Sequence, residues 1–87
     1  MTKLGVMLLK SDEIKIAILQ FLFDGQARTA NEISTKFRVN SLTVRRNCLF
    51  MQKIGLLEII SSRPRLIEFK ITESGREVVT ELRNQQG

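Results

Sequence analysis

Two adjacent arginines, Arg45 and Arg46, carry the most informative chemistry in this sequence. A guanidinium group donates hydrogen bonds in a fixed fork that fits phosphate oxygens and the edge of a guanine base. In a helix over residues 41–54, side chains turn by about 100° per residue, so one side would face a core. That inner side carries Val44, Asn47, Cys48 and Met51. The opposite side carries Leu42, Arg45, Arg46, Leu49 and Lys53. A basic outer side of this kind is typical of a helix that lies in a groove of DNA.

Side chains for catalysis and metal binding are scarce. The sequence has no histidine and one cysteine, Cys48, so the usual Cys/His metal sites and His-dependent nucleophiles cannot be assembled. It also lacks a glycine-rich phosphate loop. The nine carboxylates form no obvious pair that could act as acid and base. We therefore predict neither an enzyme nor a metal or cofactor site.

The chain is 87 residues long and 43% apolar, which fits one globular domain over residues 1–87. Cys48 cannot form a disulfide within the chain and is expected to be a small buried hydrophobe. This cysteine usage fits a reducing compartment, so we expect a cytoplasmic, DNA-associated protein. Residues 1–10 are too short for a membrane span and lack the features of a signal peptide. We expect them to form an N-terminal arm, with no membrane contact.

The net charge of +5 is concentrated in the middle of the sequence. From residue 33 to residue 65 there are seven basic residues and one acidic residue, Glu58, whereas the remainder has a net charge of −1. A surface that served solubility alone would mix its charges. The concentration of positive charge predicts a polyanionic partner.

Two helices joined by a tight turn are predicted in this basic part of the chain. Thr29 and Glu32 have the spacing of a capping box, which begins a helix over residues 29–37. Asn40 is a good N-cap for the following helix, over residues 41–54. The glycine that follows can end this second helix in a left-handed conformation.

The remaining elements flank this pair of helices. An apolar helix is predicted over residues 11–24, and a β-hairpin over residues 57–71, where alternating apolar residues mark a half-buried strand. A helix over residues 73–84 follows, with Thr72 as its cap. A short strand near residues 27–28 can complete a three-stranded sheet. The predicted fold class is therefore α+β and mostly helical, with a three-helix core, a hairpin and a C-terminal helix.

The order of these residues resembles that of winged helix-turn-helix regulators, particularly MarR-like and related archaeal, phage and viral members. The resemblance runs over residues 33–57 and continues more loosely over residues 71–76. The matching positions include Ile33, Phe37, Val39, Asn40, Thr43, Val44, Arg46, Lys53, Gly55 and Leu56. The sequence departs from the family at Asn47, which replaces an apolar residue, and at Leu49 and Phe50, which replace polar ones. We expect the Asn47 amide to hydrogen-bond a backbone group of a neighbouring element, because burying it unpaired would be costly.

The resemblance implies a recognition helix in the major groove and a hairpin wing on the DNA backbone or in the minor groove. The implied function is sequence-specific binding of double-stranded DNA in the regulation of transcription. The residues predicted to contact DNA are Lys36, Arg38, Ser41, Leu42, Thr43, Arg45, Arg46, Arg63 and Arg65. The arginines suit guanine edges or phosphates, and Leu42 suits a thymine methyl group.

A homodimer is predicted from the excess of apolar residues in the helix over residues 11–24. This helix is apolar on nearly all sides, and a single small domain can hardly cover all of them. The side chains predicted at the dimer interface are Ile16, Leu19, Phe23, Val79 and Leu82. The alternative is a central helix enclosed by its own domain and by the N-terminal arm.

Two other functions fit parts of the sequence. A winged helix can serve as a protein-protein interaction module within a larger assembly, and Leu42, Leu49 and Phe50 would then lie at the interface. Binding of RNA or of single strands needs an aromatic platform, and the sequence has no Trp or Tyr. Double-stranded DNA is the partner that the residues favour.

Overall fold

The computed structural model describes residues 13–63 and 66–86, without the side chains of residues 62, 63 and 86. In chain order the elements are α1 (Glu13–Phe21), a 3-10 turn (Leu22–Asp24), β1 (Arg28–Thr29), α2 (Ala30–Phe37), α3 (Ser41–Lys53), β2 (Leu57–Arg63), β3 (Leu66–Ile71) and α4 (Glu73–Gln86). The predicted N-terminal arm and Arg65 lie outside the described residues.

The three strands form one antiparallel sheet in the order β1-β3-β2. Phe69 of the central strand lies opposite Arg28 on one side and Ile59 on the other. The short strand β1 thus completes the sheet as predicted, and β2 and β3 form the hairpin. Helices α1, α2 and α3 precede the hairpin and α4 follows it. The prediction of an α+β winged helix fold is confirmed.

Helix α1 ends earlier than the helix predicted over residues 11–24. Its α-helical segment ends at Phe21, and a 3-10 turn continues the chain to Asp24. Gly25 then has a φ of 87°, in the left-handed region that glycine adopts without strain. Its N–H donates to the Leu22 carbonyl at 3.0 Å, which closes the turn before β1.

The caps of α2 and α3 are those that the sequence predicted. Thr29 Oγ1 accepts a hydrogen bond from the Glu32 N–H at 3.1 Å, and the Glu32 carboxylate accepts one from the Thr29 N–H at 2.8 Å. Asn40 Oδ1 accepts from the Leu42 N–H at 2.8 Å at the start of α3. Gly55, with a φ of 84°, follows the end of α3. Local hydrogen bonds therefore determine where these two helices begin.

A compact junction connects the end of α3, the hairpin and α4. The Thr72 hydroxyl donates to the Gly55 carbonyl at 2.6 Å and accepts from the Gly75 N–H at 3.0 Å, which caps α4. The Thr72 N–H donates to the Leu56 carbonyl at 3.1 Å. A Cβ at Gly75 would lie 2.7 Å from Ile71 Cγ1 and closer still to the Leu56 carbonyl oxygen. Glycine is therefore required here for α4 to approach the chain that follows α3.

One hydrophobic core joins the helices to the sheet. Its buried side chains include Ile18, Leu19, Leu22, Ile33, Val44, Cys48, Met51, Phe69, Ile71, Val78, Val79 and Leu82. The burial corrects the predicted dimer interface: Leu19 and Val79 are fully buried and Leu82 is 7% exposed, because the chain's own core encloses them. These three offer no surface to a second copy. The other two predicted interface residues, Ile16 and Phe23, are half-buried and pack against the core.

The hydrogen bond of Asn47 also differs from its prediction. Its side-chain Nδ2 donates to the Thr43 carbonyl at 2.8 Å. The partner belongs to the preceding turn of the same helix and not to a neighbouring element, because an amide four residues further on can reach that carbonyl. The residue is half-buried, at the margin of the inner side of α3.

We expect Gly75→Ala to lower the free energy of unfolding by about 1–3 kcal/mol, because the added methyl group would overpack the junction at Leu56 and Ile71. Urea denaturation measures the change. Ser74→Ala, at the exposed neighbouring position, is the matched control and should change the stability by less than about 0.5 kcal/mol. Equal stability of the two variants would contradict the close approach at Gly75.

Candidate nucleic-acid interface

The N-terminal half of α3 displays polar and basic side chains to solvent. The inner side of the helix is fully buried at Val44, Cys48 and Met51, which fixes the direction in which the remaining side chains point. The exposed residues, which we name the α3 face, are Ser41, Leu42, Thr43, Arg45 and Arg46. Leu42 is 53% exposed although it is apolar. Two guanidinium groups, two hydroxyl groups and one apolar side chain therefore share one surface.

An open groove of about 320 Å³ lies beside the α3 face. Its walls are the first turns of α2 and α3 and the strand β3. The lining residues are Thr29, Ala30, Asn31, Ser41, Leu42, Arg45, Leu66, Ile67 and Phe69. Arg45 is thus shared between the α3 face and the groove. The α3 face is therefore continuous with the hairpin.

Asn31 is a candidate residue that the sequence pattern did not predict. It is exposed in the first turn of α2 and lines the groove beside Arg45. The available signal was its position directly after the helix start, where backbone N–H groups have no partner within the helix. The carboxamide N–H groups of Asn31 can donate hydrogen bonds to a phosphate oxygen beside Arg45.

Leu49 does not lie on the outer side of α3 as predicted. It is half-buried and packs against the core. The reason is that α1, α2 and β2 all pack against α3 and cover more of its circumference than one apolar side. Lys53, near the end of the same helix, is exposed.

Arg38 and Lys36, both predicted to hold phosphates, are exposed but have different surroundings. Arg38 lies in the turn between α2 and α3 with a φ of 56°, which is uncommon for a residue that has a Cβ. Lys36 is directed toward α1, since its Nζ lies 5.7 Å from the centre of the Phe21 ring. The structure therefore places Arg38 in the turn that precedes the α3 face and Lys36 against α1.

The hairpin brings the backbone of Arg63 opposite Leu66, near the tip of the wing. The pairing of β2 with β3 shifts between Ile60 and Arg63, so the strands are irregular as they approach the tip. Ser61 Oγ donates to the Leu66 carbonyl at 3.4 Å. The side chain of Arg63, like Arg65, lies outside the described part of the chain.

A second group of cations, which the sequence did not reveal, surrounds the end of α1. The Arg28 guanidinium lies 4.3 Å from the centre of the Phe21 ring. Arg76 and Arg83 lie 5.1 Å and 4.6 Å from the centre of the Phe23 ring. Cations over aromatic rings are held by the negative face of the ring. These partners are far apart in the sequence, so no local pattern could have paired them.

Among the described residues, two titratable groups have shifted pKa values. The pKa of Asp24 is lowered, first because its carboxylate accepts a hydrogen bond from the Gln26 N–H at 3.0 Å. Desolvation opposes this shift, while the hydrogen bond from Arg28, at 2.7 Å, adds to it. Burial raises the pKa of the Cys48 thiol to about 12, so the thiol stays neutral near pH 7 and is not an activated nucleophile. Cys48 is the buried hydrophobe that the sequence predicted.

Within residues 13–63 and 66–86, no three His, Cys, Asp or Glu side chains are grouped so that they could hold a metal ion. No helix in the same part of the chain has both the length and the apolar character needed to cross a membrane.

Comparison by sequence finds no match among protein-family models or curated proteins. Comparison by structure finds several matches among solved proteins. A MarR-family transcription regulator aligns with a TM-score of 0.80 at 20% sequence identity, over 98% of this chain and 58% of that protein. BldR, a transcriptional regulator from Sulfolobus solfataricus, aligns with a TM-score of 0.73 at 23% identity, over 90% of this chain and 62% of BldR. ZitR from Lactococcus lactis, in complex with DNA, aligns with a TM-score of 0.69 at 20% identity, over 84% of this chain and 51% of ZitR.

The chain thus spans between 51% and 62% of the length of these three proteins. The likeness covers at least 84% of this chain in each of the three cases. The chain therefore has the winged helix-turn-helix fold of MarR-family transcription regulators.

Proposed function

We propose that the chain binds double-stranded DNA sequence-specifically and regulates transcription, with the α3 face in the major groove and the wing on the backbone or in the minor groove. The observation that carries the proposal is the α3 face, where Arg45 and Arg46 are exposed beside Leu42. Such a surface can donate hydrogen bonds to phosphates and base edges and cover a thymine methyl group. The fold supports this function, since ZitR has the same fold and was solved with DNA.

The two arginines of the α3 face have different tasks in this proposal. Arg46 lies on the side of α3 opposite the buried Val44 and Met51, so its guanidinium extends furthest from the core. Arg46 therefore suits the edge of a guanine base. Arg45 lines the groove between α3 and β3, where it suits a phosphate of the strand that passes between helix and wing. Ser41, Thr43 and Arg38 supply further contacts to the backbone or to base edges.

A homodimer would place two α3 faces on the two halves of a palindromic site. The described large apolar side chains that are exposed, however, belong to α3, its C-cap and β2: they are Leu42, Phe50, Ile54 and Ile59. Of the predicted dimer contacts, the proposal keeps the half-buried Ile16 and Phe23 and assigns none to α4.

The division of tasks predicts different effects for two substitutions. Arg46→Ala should cost about 1–3 kcal/mol of discrimination against the wrong base, or about 5- to 150-fold in relative Kd. Arg45→Ala should weaken binding about equally for all sequences and reduce its dependence on salt, because a phosphate contact carries no sequence information. Selection of duplexes from a random pool, followed by fluorescence anisotropy with selected and unrelated duplexes, measures both effects.

Arg83→Ala is the matched control for these substitutions, since it removes the same positive charge from an exposed position on α4. It should leave the sequence preference unchanged. If Arg45→Ala and Arg46→Ala both bind every duplex as the parent does, the α3 face is not the DNA-binding surface.

Substitutions at Arg38 are expected to change the stability of the domain and its affinity for DNA in different directions. Arg38→Gly should keep or raise the free energy of unfolding, by up to about 1 kcal/mol, because glycine adopts the left-handed conformation without strain. The same variant should bind duplex DNA more weakly, since a phosphate contact is lost. Thermal melting and anisotropy measure the two properties.

Arg38→Asn removes the same charge and also tolerates the left-handed conformation, so it controls for the added flexibility of glycine. Both variants should lose the same affinity. Unchanged binding by both would exclude Arg38 from the DNA contact.

A further inference from the structure

The C-terminal half of α3 carries a second surface that the DNA contact does not use. Phe50 is 39% exposed and Ile54, at the end of the helix, is 36% exposed. They are four residues apart, so their side chains are neighbours on the helix surface. We name these two residues the Phe50 patch. Both are apolar, and neither packs against the core that buries Cys48 and Met51 of the same helix.

Three basic residues border the Phe50 patch. Lys15 of α1 reaches over it, with Nζ 5.1 Å from the centre of the Phe50 ring. Arg46 lies one helical turn before Phe50, and Lys53 lies three residues after it, and both are exposed. An apolar pair bordered by cations is complementary to a helix that has apolar side chains on one face and carboxylates along its flanks.

We propose that the Phe50 patch binds an acidic amphipathic helix of a partner protein, and that this partner competes with DNA because Arg46 belongs to both surfaces. Only the competition rests on the proposed function; the docking itself does not. The partner would act as a negative regulator of DNA binding. Its carboxylates would take the place of the guanine edge at Arg46 while its apolar face covers Phe50 and Ile54.

A second copy of this chain fits the patch less well than a different protein does. The described helix with the most acidic outer surface is α4, with Glu73, Glu77 and Glu81. Its apolar residues Val78 and Val79 are fully buried in its own core. Helix α4 can therefore offer carboxylates to Lys53 or Arg46 but no apolar face to Phe50.

Duplex DNA also fits the patch poorly. Phosphates and sugars would meet the bordering cations, but the major groove offers Phe50 and Ile54 little apolar surface beyond thymine methyl groups. An amphipathic helix meets both the apolar pair and the cations at once. The composition of the patch therefore favours a protein partner.

The test uses the full chain and a synthetic 18-residue probe peptide. The peptide has leucines at helical spacing on one face and glutamates elsewhere, and a scrambled peptide of the same composition is the control. Fluorescence anisotropy should show binding of the amphipathic peptide at least tenfold tighter than that of the scrambled one. Unlabelled duplex DNA selected by the protein should displace the peptide from the parent chain.

Substitutions test whether the peptide binds at the Phe50 patch. Phe50→Ala combined with Ile54→Ala should weaken peptide binding at least tenfold and change DNA binding less than about twofold, whereas Arg46→Ala should weaken both. Ile59→Ala is the matched control, because Ile59 is also 39% exposed but lies on β2. If the double variant does not fold, as judged by circular dichroism, Ile54→Glu provides the same readout at the end of α3.

Four results would overturn the proposal. The first two are equal affinity for the scrambled and the amphipathic peptide, and unchanged peptide affinity in the double variant. The other two are a loss of DNA affinity in the double variant as large as that in Arg46→Ala, and a parent chain that sediments as a dimer while the double variant sediments as a monomer. The failures are distinguishable. A chain that binds duplex DNA but no peptide contradicts the docking alone. A chain that binds the peptide at the patch but no duplex DNA contradicts the proposed function and supports the docking.

Discussion

The proposed DNA-binding surface depends on the complete burial of one side of α3. Val44, Cys48 and Met51 have no exposed surface, and they hold the helix against α1, α2 and β2. Once this side is fixed, the arginines must point away from the core, since an unpaired charge is costly to bury. The same apolar contacts that stabilise the domain therefore orient the residues proposed to read DNA. A substitution among these buried residues would rotate or release the α3 face although none of the residues of that face is changed.

The position of the wing depends on a second constraint, the junction around Thr72. Its hydroxyl joins the Gly55 carbonyl to the first turn of α4, and Gly75 allows the close approach. The hairpin begins and ends at this junction, so its strands are held at a fixed position relative to the end of α3. Strand β3 then forms a wall of the groove that Arg45 lines. This arrangement would let the helix and the wing contact one duplex, as the proposed function requires.

Features that depend on neighbouring residues in the sequence could be predicted from it. The capping box at Thr29, the cap at Asn40 and the glycine after α3 are local, and all three are present. The burial of Leu19, Val79 and Leu82 could not be predicted, because it depends on how several elements enclose α1 and α4. Periodicity gives the direction of a side chain but not how much of the helix its neighbours cover, as the half-burial of Leu49 shows. The contact between Lys36 and Phe21 likewise joins elements that the sequence separates.

The central claim is that the α3 face and the wing bind duplex DNA through arginines. The most direct measurement is the dependence of Kd on salt concentration, for a selected duplex and for one of its single strands. Phosphate contacts from Arg38, Arg45, Arg63 and Arg65 should make the logarithm of the association constant, 1/Kd, fall with log salt with a slope of about −3 to −4, at about 0.9 per contact. The duplex should also bind more tightly than the single strand at every salt concentration. A slope near zero, or equal affinity for the single strand, would contradict the claim.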